Sequence, residues 1–211
     1  VDRAQAVLQR AVARAAGDEA RARLGVQLAT LALGAGDHQR ARAALAETEG
    51  PRLPPVLRQE RTLLDARALR RAGRAEEAAA RFGEAGVAGL PELLEVLAER
   101  QDWPGAAGAA RALMAARLPP APEPLDEPQR RLVVQAASLM AMAGEEAALV
   151  ALREAEAARM AGGPLEEAFA LITGASIAGV GDLPRARQEL ELARALPARL
   201  ESLRASPPAA R

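Results

Sequence analysis

Along this chain small and large apolar residues recur in a fixed spacing: a small residue, a larger one four positions on, and a small one three further. The instances are Ala4, Leu8, Ala11; Ala41, Leu45, Thr48; Ala78, Phe82, Ala85; Ala148, Leu152, Ala155; and Ala186, Leu190, Ala193. A weaker one, Ala106, Ala110, Leu113, has a small residue in the middle. Offsets of four and seven return to the same face of an α-helix, so each triad predicts an amphipathic helix with a narrow contact stripe. Successive triads are 37, 37, 28, 42 and 38 residues apart. The short and long steps together restore two average ones, which predicts a shortened helix followed by an inserted loop.

Stop and start signals precede most triads: Gly36-Asp37, Gly73-Arg74, Gln101-Asp102, Gly144-Glu145 and Gly181-Asp182. Glycine supplies the left-handed residue that ends a helix, and aspartate caps the next one through its carboxylate. The pattern therefore predicts helices near 2–16, 19–34, 38–48, 55–72, 75–86, 90–100, 104–117, 128–142, 145–160, 165–179, 183–195 and 198–204, paired as hairpins, with no strand. The inserted loop is Leu118 to Pro128, with five prolines in eleven residues. Proline cannot occupy a helix interior, and a loop without a hydrogen-bond ladder is the expected first site of proteolytic nicking. Asp126 followed three residues later by Gln129, with Pro128 between, predicts a capped helix start. The expected organisation is a single all-α array over 1–204, with a disordered tail at 205–211.

Composition supports helix. Half of the residues are apolar, chiefly Ala and Leu, with two Phe, one Trp and no Tyr. Ala and Leu lose little freedom in a helix, whereas sheets draw on β-branched and aromatic residues. All 28 basic residues are Arg, and Lys, Asn, Tyr and Cys are absent, as expected of a GC-rich, bacterial genome. The 28 Arg balance 28 Asp plus Glu, so no global field draws the chain to nucleic acid or a charged membrane. The longest uncharged stretches, Leu132 to Gly144 and Ala168 to Gly181, fall short of the roughly 20 residues a membrane span needs. Cysteine-free sequence suits a cytoplasmic or a periplasmic address.

Catalytic chemistry is sparse. His38 is the only histidine and sits beside Asp37 at a helix start, where an exposed surface residue is expected. One imidazole and no thiol do not make a zinc site, and without Lys there is no P-loop lysine and no Schiff base. Gly174, Ser176 and Gly179 have the wrong spacing for a nucleophile elbow. The pairs Glu76-Glu77, Glu145-Glu146 and Glu166-Glu167 fall in first helical turns, where the helix dipole favours acids. Neither a catalytic residue, a cofactor nor a metal is expected, and the reading is non-enzymatic.

The residues Ala66, Gly73, Ala78, Phe82 and Ala85 resemble a tetratricopeptide repeat: small residues where two helices cross, a turn glycine, and one large plug. Gly174, Gly181, Ala186, Leu190, Ala193 with Pro197, and Ala29, Gly36, Ala41, Leu45, are similar. The resemblance implies an α-α superhelical solenoid of about five hairpins, with the first helix of each lining a concave groove. It also implies recruitment of a protein or peptide, in bacteria often within an envelope machine such as exopolysaccharide secretion or a flagellar motor.

Placed on that geometry, Arg67, Arg70 and Arg71 look into the groove, and so do Arg23, Val26 and Leu33 from the first full hairpin and Arg131, Val134 and Ser138 from the fourth. Arg67, Arg70, Arg71 and Arg74 share one helical side by spacing alone. They form either a partner contact or a solvated face neutralised by acids such as Glu95 and Glu99. An apolar groove with basic spots suits an acidic or amphipathic peptide better than nucleic acid, which wants a basic track with stacking aromatics. Trp103 reads as a packing plug. A different class of reading is a spacer or self-assembly module packing through its convex face. Because Ala4, Leu8 and Ala11 form a second-helix triad with no first helix, the native polypeptide is expected to extend before Val1, leaving Leu8 and Val12 partly exposed here.

Overall fold

The computed structural model of this protein describes residues 2–174 together with Leu190, Glu191 and Arg194. Among the described residues ten α-helices run in order: α1 Asp2–Arg14, α2 Asp18–Gly34, α3 His38–Glu47, α4 Pro55–Arg71, α5 Ala75–Glu84, α6 Leu90–Glu99, α7 Trp103–Arg117, α8 Glu127–Met142, α9 Glu146–Met160 and α10 Glu166–Ile172. A 3-10 turn, Gly86–Gly89, joins α5 to α6, and no strand occurs among the described residues. The helix expected at 198–204 and the tail at 205–211 lie outside the described residues, as does most of 183–195 and the Gly181-Asp182 signal.

The punctuation is chemical. Gly36, Gly73 and Gly144 hold φ of 80, 75 and 71° at helix ends, a region open to glycine at little cost. Gln101 takes the same role at the third junction with φ 59°, where a side chain costs roughly 1–2 kcal/mol. Asp37 accepts the Arg40 N–H at 2.8 Å, and Asp102 accepts that of Gly105 at 3.0 Å. At α8 the reciprocal box forms, Asp126 accepting from Gln129 N at 2.8 Å and Gln129 Oε1 from Asp126 N at 3.0 Å.

The chain divides into two compact units, Val1–Ala116 and Arg117–Arg211. In the first, α1 to α5 each pack on their successor, and α2 also packs on α4 past the intervening α3. Ala29, Ala41, Ala66 and Ala78 are fully buried; their small side chains let the helix axes approach. Phe82, also fully buried, packs with Leu69 and Val96 as the expected plug. Leu8 and Val12 on α1 are half-buried. Gly25 marks the tightest approach, since a β-carbon there would lie 1.8 Å from Thr48 Oγ1.

Behind that contact lies a buried cation. Arg61 of α4 is 8% exposed. It donates to the Ala22 carbonyl at 3.3 Å, to Thr48 Oγ1 at 3.1 Å and, through Nη2, to the Leu45 carbonyl. A single guanidinium thus joins α2, the end of α3 and α4, spending its planar fork on neutral oxygens. Burial lowers its pKa from the ordinary arginine value, and Glu49 works in the opposite direction.

In the second unit α8, α9 and α10 pack against one another. The proline-rich segment before α8 lacks a backbone ladder but is pinned by side chains. Arg159 of α9 donates Nε to the Glu123 carbonyl and Nη2 to that of Pro119, both at 2.8 Å, while Nη1 meets the Glu156 carboxylate at 2.9 and 3.0 Å. Arg130 donates to the Leu125 carbonyl at 3.2 Å and to that of Met160 at 2.9 Å, and Leu125 itself is buried. The loop is therefore anchored at its start, middle and end.

Candidate partner-binding groove

Within the first unit a groove follows α2 and α4. At the N-terminal halves of these helices Arg23, Val26 and Gln27 face Pro54, Val56, Leu57 and Glu60 around a concavity of about 280 Å³. Its character is apolar: Val56 is 75% exposed although it is a valine. At their C-terminal halves Thr30, Leu33 and Gly34 face Leu64, Arg67, Arg70 and Arg71, with Glu92 and Glu95 of α6 on the far wall, around about 760 Å³.

The structure brings Arg67, Arg70 and Arg71 together and leaves Arg74 out. Arg74 stands at the N-cap of α5 and pairs with Glu77 at 2.5 Å. Arg67 pairs with Glu92 at 2.6 Å, and Arg70 reaches Glu95 at 2.8 Å and Glu99 at 2.5 Å. The hydrogen bond that Arg70 donates to Glu95 is the leading cause of a raised Arg70 pKa. Arg71 instead donates Nη1 to the Leu33 carbonyl, tying α4 to the end of α2. Arg67 and Arg70 are thus neutralised by the acids of the next helix pair, and Arg71 is a structural tie as well as a groove residue.

No protein-family model matches this chain, nor does any curated protein or solved structure. The groove has to be read from its own chemistry.

The remaining candidates are placed as follows. Arg23 is exposed and pairs with Glu19 at 2.6 Å, whereas Val26 is 8% exposed and presents little more than an edge. In the second unit Arg131 is exposed on α8 and paired with Glu127, and Val134 is half-buried one turn on, its carbonyl accepting from Ser138 Oγ at 2.9 Å. His38, the first residue of α3, is half-buried rather than exposed. Trp103 is likewise half-buried. Among the described residues no group of three or more His, Asp or Glu is placed to hold a metal ion, and no helix is long and apolar enough to cross a membrane.

Sequence reasoning missed Arg61, Glu156 and Arg159. A signal was present. Arg61 occupies a stripe position between Leu57, Leu64 and Ala68, all buried, and Glu156 and Arg159 continue the stripe begun by Leu152. A charged residue on an apolar stripe at helical spacing predicts burial with partners.

Proposed function

We propose that this chain is a non-enzymatic interaction scaffold of tetratricopeptide-like helical hairpins that holds an amphipathic segment of a protein or peptide partner along α2, α4 and α6. The observation that carries the reading is the groove wall: its charged half is lined by residues of these alternate helices only. Stacked hairpins produce that arrangement, because each first helix meets the next first helix. The packing of α2 on α4 and of α8 on α10, each skipping one helix, supports it.

Groove chemistry narrows the partner. Two of the three groove arginines, Arg67 and Arg70, are paired with acids, so a purely acidic segment gains little from long-range attraction. An apolar side chain seated against Val56 and Leu57, followed by a carboxylate competing for Arg67 or Arg70, fits both halves. The resident pairs are displaceable, since exposed ion pairs are worth about 0–1 kcal/mol each.

Selection of binders from a displayed peptide library, followed by titration calorimetry, tests the reading. The doubly substituted Arg67→Glu, Arg70→Glu protein should bind the selected peptides at least about tenfold more weakly with its melting temperature almost unmoved, and wild-type affinity should fall with salt. Undiminished affinity would remove the groove from consideration. Arg71 is left intact in this design because of its bond to Leu33.

A further inference from the structure

The other flank of α4 carries a second, differently built concavity. Residues 58, 62 and 65 project away from the side that bears Arg67 and Arg71, as 3.6 residues per turn requires, and Arg61 lies between the two flanks. There α3, the segment after it, α4 and α5 enclose a cleft of about 350 Å³. Four arginines line it, Arg42, Arg58, Arg61 and Arg81, against two carboxylates, Glu49 and Asp65.

The carboxylate at its floor is already saturated. Asp65 Oδ1 accepts from Arg42 Nε at 2.8 Å, and Oδ2 lies 3.3 Å from Arg81 Nε. Binding through the Nε edges fixes both forks and leaves the terminal N–H groups of Arg42 and one of those of Arg81 unspent, since Arg81 gives only Nη1 to Glu84. Among the described residues Arg61 bonds only neutral oxygens, and Glu49 acts on it through charge without a hydrogen bond. Arg58 is exposed and makes no side-chain hydrogen bond or ion pair among the described residues.

We propose that this cleft binds a phosphate-type dianion. Its four arginines outnumber Glu49, Asp65 and the Glu84 that Arg81 also meets, so the cleft keeps a net positive charge, and planar guanidinium forks match tetrahedral oxyanions in bidentate fashion. Two of the forks are held in place before binding, which lowers the ordering cost. The volume of about 350 Å³ admits a phosphate group with part of its carrier. The ligand is either a free phosphate compound or a phosphorylated side chain of a partner.

Titration calorimetry of the whole chain at constant ionic strength decides it. The probes are inorganic phosphate and a serine-containing peptide with and without phosphorylation; potassium chloride is the control. The wild type should bind a phosphate-bearing probe above the chloride background. Arg58→Ala and Arg81→Ala should each weaken it about tenfold or more, and Arg67→Ala, on the opposite flank, should bind as the wild type does. Comparable affinity for both phosphate probes assigns a free phosphate compound, and a phosphopeptide preference of about tenfold assigns a phosphorylated partner. No binding above chloride, or unaltered binding by Arg58→Ala and Arg81→Ala, overturns the proposal. Arg58 has no bonds to lose, so its variant folds if the wild type does.

Discussion

Two regions of this protein solve the same problem with a buried arginine, and they solve it differently. In the first unit Arg61 crosses to Ala22, Leu45 and Thr48 without a bonded counter-ion. In the second, Arg159 gives two donors to the carbonyls of Pro119 and Glu123 and the third side of its fork to Glu156, which is equally buried. The first is a cation bonded only to neutral oxygens, with Glu49 acting on it through charge and not through a bond; the second is a bonded ion pair that also holds a loop. A charge with a buried partner is hard to delete alone, because deletion strands the partner. A charge without one takes part of its own desolvation cost away with it.

That contrast orders the expected effects. Arg159→Ala should be the most destabilising, at about 3–5 kcal/mol, because it orphans the Glu156 carboxylate. Limited proteolysis should then cut between 118 and 126, which in the wild type should resist as well as the helices do. Removing Glu156 as well should recover much of the loss; if the double variant is as unstable as the single one, the pair is not the cause. Arg61→Ala should cost less, about 2–3 kcal/mol by denaturant titration, since three charge-assisted bonds go but so does a buried charge. A loss equal to that of Arg159→Ala would erase the distinction between the two regions.

Gly25→Ala should cost about 1–3 kcal/mol through its collision with Thr48. Thr48→Ala in the same chain should relieve only the part of the clash that the hydroxyl makes, since its own β-carbon would still lie 2.7 Å from the new one, and it sacrifices one Arg61 bond, so the two changes should be non-additive in a double-mutant cycle. The smallest effect concerns pH. Burial raises the Glu156 pKa above its ordinary 4.5, with Arg159 opposing that shift. The folded chain therefore holds this proton more tightly than the unfolded one. Its contribution to stability is present below pH 4.5 and is lost as pH rises through the raised value. The stability of the wild type minus that of Glu156→Gln should decline over that window, and parallel curves would show that the pair does not titrate this way.

Among the described residues helix existence and most boundaries were legible in the sequence because glycine, proline and capping acids act locally; the exception is the helix expected at 165–179, which ends at Ile172. Gly36, Gly73, Gly144 and the Asp126–Gln129 box mark helix ends wherever the rest of the chain goes. The proline-rich loop was legible as a loop, but its anchoring was not. Proline reports which backbone bonds a segment cannot make, while the carbonyls of Pro119 and Glu123 find Arg159 some 40 and 36 residues away. The arginine cluster on α4 was visible as a stripe, yet only the structure divides it into groove pairs, the Arg71 tie and the separate Arg74 cap. Arg61 and Arg159 were hidden by their residue type: in a chain whose every basic residue is arginine, a buried one looks like all the others.

Arg61 also bears on how the first unit assembles. A row of helices that touch only their successors can fray from either end, one hairpin at a time, with little collective character. Arg61 belongs to α4 but its acceptors stand at residues 22, 45 and 48, so α2, the close of α3 and α4 become mutually dependent through one side chain. Opening any of the three breaks bonds that this one buried guanidinium makes. Hydrogen exchange across 18–71 should therefore proceed as one cooperative opening, a single foldon in place of a graded series.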